Sequence, residues 1–531
     1  MILKNIKINN YRSIKEIDFG IEQISDMGFT YGLLGINEAG KSSILQALSF
    51  KDSKTNSLPK INDFYKGNSE DFIVLYKYEI SDLEIEEIKK LSVFESLTKD
   101  SFEDVETLSE EEFSASFFLQ KNLKNLELKK ADLTYTYKRE QNATRQISLS
   151  FPEVKDQKFK AFLENNLLQE IEKTSHKTIF WKSDPKYLIN NNISLNTFMQ
   201  NIDESVPLRN CFNLTGFDTF ENIKKIITKI LPTENSIDRE KLLYDMGTKT
   251  TEHIKNVWKD HDITITFNLS GDILNFHIKE NNSNESAEKT DQRSDGFKQF
   301  ISFILSVSIE NTTQNLSNTI ILLDEPETHL HPKAQQLFLE ELILLTKENN
   351  NICFFATHSN YMVDKNNIDR NFLIRKDYAD TNNKKTTEER FGKTNASYAY
   401  VNFKAFQIYS TDYHNELYTD LEINFPDTFK EKINKHHKIG TGEYHPTDME
   451  QGKCSYCKKY FNDNKNINDY EYISKEKYIR HQIHHPCNFD KNIKYIEKEM
   501  EESVHFMLKL ISDEKQKEVT TVSKTIKSKA L

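Results

Sequence analysis

Gly35-Ile36-Asn37-Glu38-Ala39-Gly40-Lys41-Ser42-Ser43 is the stretch that decides the fold. It fits the pattern G-x-x-x-x-G-K-[ST] in the setting that gives the pattern its chemistry, after the apolar run FTYGLL (residues 29–34) and before KSSILQALSF (residues 41–50), a helix by its periodicity. The glycines let backbone N–H groups close around phosphate oxygens, and the N-terminus of the helix adds its dipole. Lys41 would neutralise the β and γ charge and Ser42 would ligate Mg²⁺, with Gly35, Asn37, Gly40 and Ser43 completing the nucleotide-holding set. The bland alternative is a chance glycine turn; a strand before it and a helix after it weigh against that.

Upstream, Ile6 and Ile8 alternate with polar residues, as do Ile14, Ile17 and Phe19, which predicts two strands. Downstream, FIVLYKYEIS (residues 72–81) predicts another strand, and DLTYTYK (132–138) and QISLSF (146–151) are further candidates. Helical periodicity follows at residues 159–173, 220–231 and 242–260, so residues 82–260 are expected to form a mainly helical insertion or arm. ITITFNLSGDILNFHIKE (263–280) reads as a hairpin about Ser270-Gly271-Asp272. Thereafter GFKQFISFILSVSI (296–309) reads as an apolar helix, TIILLDEP (319–326) as a buried strand and AQQLFLEELILLTKE (334–348) as a helix. NICFFATHS (351–359) and NFLIRK (371–376) follow as buried strands. Alternation of this kind implies a parallel sheet. It stops near residue 400.

TIILLDEP supplies the second half of a nucleotide site. Its apolar strand ends in Asp324, placed to hold Mg²⁺, and Glu325, placed to polarise an attacking water. His358 closes the next apolar strand, where an imidazole would reach a γ-phosphate; alone it would read as an ordinary strand-end histidine.

Three motifs in this order, GINEAGKS, LLDEPETHLHP and ATHS, make residues 1 to about 375 resemble the ABC-type ATPases of the chromosome-maintenance and recombination-repair superfamily. The resemblance implies an α/β ABC-type head in which two subunits sandwich ATP. A signature helix from one subunit would cap the γ-phosphate held by the other. Its counterpart is Arg293-Ser294-Asp295-Gly296-Phe297, with Ser294 and Gly296 opening the helix; this departs from the transporter LSGGQ and looks closer to the form in bacterial defence and OLD-like ATPases. The opening Asn10-Tyr11-Arg12-Ser13 is similar to theirs as well, while no glutamine stands out for a Q-loop. OLD-like nucleases continue into a toprim domain, whose carboxylate pattern does not occur after residue 375.

Instead, Tyr478-Ile479-Arg480-His481-Gln482-Ile483-His484-His485-Pro486 resembles the motif of the HEPN family of helical ribonucleases, with Arg480, His481 and His485 at the matching positions. The resemblance covers residues 404 to 511 and implies an all-α C-terminal domain, residues 401–531. There a histidine would move the 2′-OH proton or protonate the leaving oxygen, and Arg480 would stabilise charge on phosphorus without metal. A structural or docking role for the same residues stays open. Cys454 and Cys457 form one CxxC, half a zinc site, with Cys487 and neighbouring histidines as candidates for the rest; two reduced thiols are the alternative.

The 531 residues imply several domains: residues 1–81 and 261–400 as the two ATPase lobes, 82–260 as the arm, 401–531 as the C-terminal domain. With 71 basic and 82 acidic residues the net charge is −11, the wrong sign for coating nucleic acid by charge alone. Five cysteines, no leader-like start and no apolar run of spanning length predict a reducing cytoplasm and no membrane partner. The expected whole is a homodimer or higher homo-oligomer that binds ATP and Mg²⁺ and controls a fused ribonuclease in anti-phage defence. Its substrate would be RNA, tRNA among the candidates, and its trigger phage-derived. The rivals are an ATPase scaffold that recruits a separate nuclease subunit, and a DNA-repair ATPase.

Overall fold

The computed structural model describes residues 1–51, 58–103, 113, 128–139, 144–182, 185–190, 192–232, 236–257, 262–280, 288–289, 301–305, 317–328, 330–347, 350–377, 385–392, 396–434, 457–461, 470–485 and 494–529. The chain divides into two compact units, residues 1–395 and 396–531.

Among the described residues the first unit holds three sheets. Strands β1 (Ile2–Tyr11), β2 (Ile14–Gly20), β4 (Phe72–Glu79), β5 (Lys130–Tyr137) and β6 (Arg145–Ser150) form an antiparallel sheet in the order β2-β1-β4-β5-β6. The central sheet runs β15-β14-β3-β13-β12-β7, built from β3 (Thr30–Leu34), β7 (Lys177–Lys182), β12 (Thr319–Asp324), β13 (Ile352–Thr357), β14 (Asn371–Asp377) and β15 (Lys385–Arg390). All its pairings are parallel except β14 with β15. The third sheet joins β8 (Ile193–Ser194), β9 (Ile263–Ser270), β10 (Ile273–Glu280) and β11 (Glu288–Lys289), with β9 and β10 as the hairpin expected at Gly271, whose φ is +63°.

The pleat explains why the central strands are apolar throughout. Ile320 and Leu322 of β12 belong to one hydrophobic cluster, shared with the antiparallel sheet and with Ile44, Leu45 and Leu48 of the helix Lys41–Ser49. Ile321 and Leu323 point to the other face, into a cluster with Trp181 and with Phe338 and Leu342 of the helix Pro332–Lys347. A sheet covered on both faces needs apolar residues at every position, not at alternate ones. Its carboxyl ends, at Leu34, Asp324 and Thr357, carry the site described below.

Residues 82–260 are not a separate helical arm. They contain the helices Gln157–Thr174, Phe220–Ile230 and Ser236–Val257, but they also give β5 and β6 to the antiparallel sheet and β7 to the edge of the central one. The reason is burial: Phe159, Leu163, Leu167 and Ile171 share the core that holds the helix Lys41–Ser49.

The second unit contains the helices Tyr398–Phe406, Thr411–Asn424, Pro426–Lys432, Lys475–His484 and Glu497–Lys529, around a core that includes Tyr413, Leu417, Leu421, Ile479, Val504 and Met507. It is not all-α as expected. Strands Cys457–Phe461 and Tyr470–Ser474 pair antiparallel, two short runs whose Tyr, Phe and Ile content favours strand.

Candidate nucleotide site and the C-terminal histidines

The loop from Leu34 to Lys41 is shaped by what lies behind it. Gly40 has φ +114°, and a Cβ there would stand 2.6 Å from Thr386 Oγ1, so the position is both left-handed and crowded. A Cβ on Gly35 would collide with the carbonyl oxygen of Ile374. Thr386, fully buried on β15, donates its hydroxyl to Ala39 O at 3.1 Å and lies 2.8 Å from Ser13 Oγ, which ties the opening Asn10–Ser13 stretch to the loop. The helix then starts with no side-chain cap on Gly40, and Ile44 N donates to Gly40 O at 3.1 Å. The N–H groups of the first turn are therefore left for an anion.

Lys41 is 4% exposed. Its Nζ donates to Gly35 O at 2.8 Å and Ile36 O at 3.1 Å and lies 2.9 Å from His358 Nε2. Burial draws its pKa down to about 8, against the pull of Glu325, Asp324 and Glu327. His358 Nε2 is also 3.2 Å from Glu325 Oε1; burial, then the charge of Lys41, lowers the pKa of the imidazole and favours its neutral form. Ser42 donates its hydroxyl to Asp324 Oδ1 at 2.8 Å, and burial raises the Asp324 pKa. Glu325 has φ +50°, strained for a residue with a side chain, while its N–H continues the ladder to Ala356 O at 3.0 Å.

Lys41, Ser42, Asp324, Glu325 and His358 thus meet at the ends of three neighbouring parallel strands. Asn37 is exposed and Ser43 half-buried in the same loop and helix start. Sequence reasoning missed three contributors. Glu327 lies two residues past Glu325, in full view within DEPE, and Thr386 sits in a polar strand that carries no motif. Lys182 ends β7 in register with Asp324, and its charge favours the ionised carboxylate.

Ser294 and Gly296 lie outside the described residues, as do Cys454 and Cys487; Cys457 begins a strand. Among the described residues no group of three His, Cys, Asp or Glu side chains is arranged to hold a metal. Cys211 and Cys353 are buried free thiols.

In the second unit Arg480 lies in the helix Lys475–His484, and His485 is the residue that caps it. The Arg480 guanidinium packs over the Tyr418 ring, 4.3 Å from its centroid, and its Nη1 is 3.4 Å from Thr419 Oγ1. His484 and His485 are exposed, and the His485 ring lies 6.2 Å from that of His481. Behind Arg480, His414 is fully buried with Nε2 2.9 Å from Ser503 Oγ, and burial, then the Arg480 charge, pulls its pKa down to about 3.

A parallel sheet whose strand ends gather a glycine loop, a lysine, a serine and two carboxylates defines a P-loop nucleotide-binding head. A family model described as AAA ATPase domain (AAA_15) matches residues 1–363, and the chain belongs to that family. It is 29% identical over 172 residues to the uncharacterised protein MJECL43 of Methanocaldococcus jannaschii, covering 32% of this chain and 40% of that protein. It is 28% identical over 113 residues to the Old nuclease of Escherichia phage P2, covering 21% of this chain and 19% of that one. The chain therefore spans less than half the length of these curated relatives. The crystal structure of an SMC head bound to the C-winged helix domain of ScpA aligns with 74% of this chain and 99% of its own, at 11% identity and TM-score 0.38. An SMC head domain from Thermotoga maritima aligns at 11% identity and TM-score 0.34, over 74% of this chain and 100% of its own. No described helix is long and apolar enough to cross a membrane.

Proposed function

We propose that the first unit is an ABC-type, OLD-like ATPase that acts as a sensor, and that it controls a metal-independent HEPN-like ribonuclease in the second unit as part of anti-phage defence. The observation that carries the ATPase half is the convergence of three motifs distant in sequence: Lys41 Nζ 2.9 Å from His358, His358 3.2 Å from Glu325, and Ser42 bonded to Asp324 at 2.8 Å. The donor set fits the nucleotide. ATP would be held by the loop from Gly35 to Gly40, Asn37 included, by the uncapped first turn from Lys41 to Ser43, and by Lys41 Nζ. Ser42 and Asp324 would hold Mg²⁺, which when bound neutralises phosphate charge. Glu325, the exposed carboxylate, takes the proton of the attacking water; His358, neutral and facing both Lys41 and Glu325, keeps that carboxylate aimed.

Two copies would complete the site, with Ser294 and Gly296 of each capping the nucleotide held by the other. The finer domain assignment is part of the same proposal: ATPase lobes built on residues 1–81 and 261–400, completed by the strands that residues 82–260 add to their sheets, and a ribonuclease in 401–531 with Arg480 and His485 as its reacting groups. The phage P2 relative supports a link to nuclease biology. A zinc held through Cys454, Cys457 and Cys487 would brace the loop before the motif helix.

One observation favours a second reading. Arg480 is already committed to Tyr418 and Thr419, which suits a packing role, with the second unit as a scaffold that recruits a separate nuclease. Expressing the chain alone and sequencing RNA ends separates the two. The fused reading expects growth arrest and ends carrying 2′,3′-cyclic phosphate, formed in EDTA by activated protein; the scaffold reading expects neither until a partner subunit is supplied. A repair ATPase would be harmless and would bind DNA in an ATP-dependent way.

A further inference from the structure

Two residues beyond Glu325 the chain buries a second carboxylate. Thr328 N donates to Glu325 O at 3.3 Å and Leu330 N to Glu327 O at 2.9 Å, and this tight turn leaves the Glu325 side chain 47% exposed while Glu327 is 6% exposed. Glu327 Oε1 accepts from the Thr357 hydroxyl at 2.5 Å and from the backbone N–H of His358 at 3.2 Å. Thr357 Oγ1 in turn accepts the N–H of Ser359 at 2.9 Å. One carboxylate oxygen on the β12 exit therefore fixes three consecutive residues on the β13 exit.

Those residues stand at the centre of the site. β13 lies between β12 and β3, with Ala356 in register with Asp324 and Thr357 with Leu34, the last residue of β3 before the phosphate loop. A shift of the His358 backbone would carry the imidazole away from both Lys41 and Glu325. Among the described residues the buried Glu327 Oε2 has no hydrogen-bond partner, and burial raises the pKa of the carboxyl. A carboxylate held under that cost has a constraint to satisfy, and the bonds it makes show that the constraint is the position of residues 357–359.

We propose that Glu327 is a positioning residue for ATP hydrolysis: it holds the His358 backbone so that the imidazole stays between Lys41 Nζ and Glu325 Oε1, and it touches neither nucleotide nor water. This rests on the reading that His358 takes part in hydrolysis.

The test is a double-mutant cycle on the full chain, with kcat and KM for ATP and thermal unfolding measured for wild type, Glu327→Ala, His358→Ala and the double variant. Glu327→Ala should lower kcat about ten- to a hundredfold, the effect of displacing a reacting group by about 1 Å, with KM within about threefold. In the His358→Ala background the same substitution should change kcat less than about twofold, because there is no imidazole left to misplace. Glu327→Gln, which keeps a carbonyl acceptor for both donors, should stay within about threefold of wild type. Thr357→Val removes one donor at nearly constant volume; it should cost about threefold in kcat and serves as the readout if Glu327→Ala does not fold. Equal losses from Glu327→Ala in both backgrounds would overturn the proposal, and so would a Glu327→Gln as impaired as Glu327→Ala, which would mean that charge is what matters. Wild-type kcat in His358→Ala alone would instead overturn the reading of His358 beneath it.

Discussion

The nucleotide site of the first unit and the Arg480 region of the second are assembled in opposite ways. Lys41 lies 283 residues before Asp324, and His358 a further 34 beyond it, and the ends of β3, β12 and β13 bring the three together. Arg480, His484 and His485 are neighbours on one helix end, so their proximity needs no fold at all. A long-range convergence of rare side chains is hard to produce by accident, whereas Arg and His five residues apart arise in many surface helices. The first site is therefore evidence about chemistry, while the second becomes evidence only when its side chains are tested for separate roles.

The largest expected effect falls on the first region. Lys41→Ala removes the buried ammonium and should abolish measurable ATP binding by calorimetry. Glu325→Gln should still bind ATP, lose about 10²–10³ in turnover and accumulate a dimer in ATP. Equal hydrolysis by wild type and Glu325→Gln would remove Glu325 from the role of general base and weaken the contrast at its stronger end.

Next come Arg480→Ala and His485→Ala. If the second region is catalytic, each should reduce RNA cleavage by about 10²-fold or more while ATP hydrolysis stays within about twofold. If Arg480 only packs on Tyr418, Arg480→Ala should lower stability by about 0.5–2 kcal/mol, the range of a cation–π contact, and leave the RNA-end profile unchanged. Thermal unfolding and RNA-end sequencing on the same preparation decide which description holds.

Gly40→Ala is a smaller perturbation of the first region. It forces a side chain into φ +114° and against Thr386, and should cost about 1–3 kcal/mol, read as roughly tenfold or more weaker ATP binding. Unchanged affinity would mean that the loop re-forms readily when nucleotide binds.

The sequence made the central sheet legible because strands buried on both faces are apolar at every position, and residues 319–324 and 352–357 are such runs. β7 escaped notice because Lys177, Lys182 and the polar residues around them dilute a short apolar core, and a strand at a sheet edge has only one neighbour to demand more. The hairpin of the second unit was hidden by its lysines and asparagines. In the site, motif residues could be read directly, but Thr386 and Glu327 act through backbone groups, the Ala39 carbonyl and the His358 N–H, and no side-chain pattern announces a partner of that kind.

The smallest expected effect follows from the ionisation of Lys41. Its ammonium is the charge proposed to attract phosphate, and burial has brought its pKa down to about 8. Below that value the charge is present; as pH rises through it, the protein must first take up a proton to bind ATP in the same way. Between pH 7.5 and 8.5 the protonated fraction falls about threefold, and ATP affinity should fall by about the same factor. His358 does not oppose the trend, since its lowered pKa leaves it neutral throughout this window. The carboxylates beside Lys41 pull the other way, so replacing one should move the transition. In Glu325→Gln the Lys41 pKa loses the largest influence that raises it, and the decline in affinity should begin at lower pH. Calorimetric titration of both proteins across this range, in buffers matched for ionic strength, reads the shift. A pH-independent affinity would show that Lys41 keeps its proton well above pH 8.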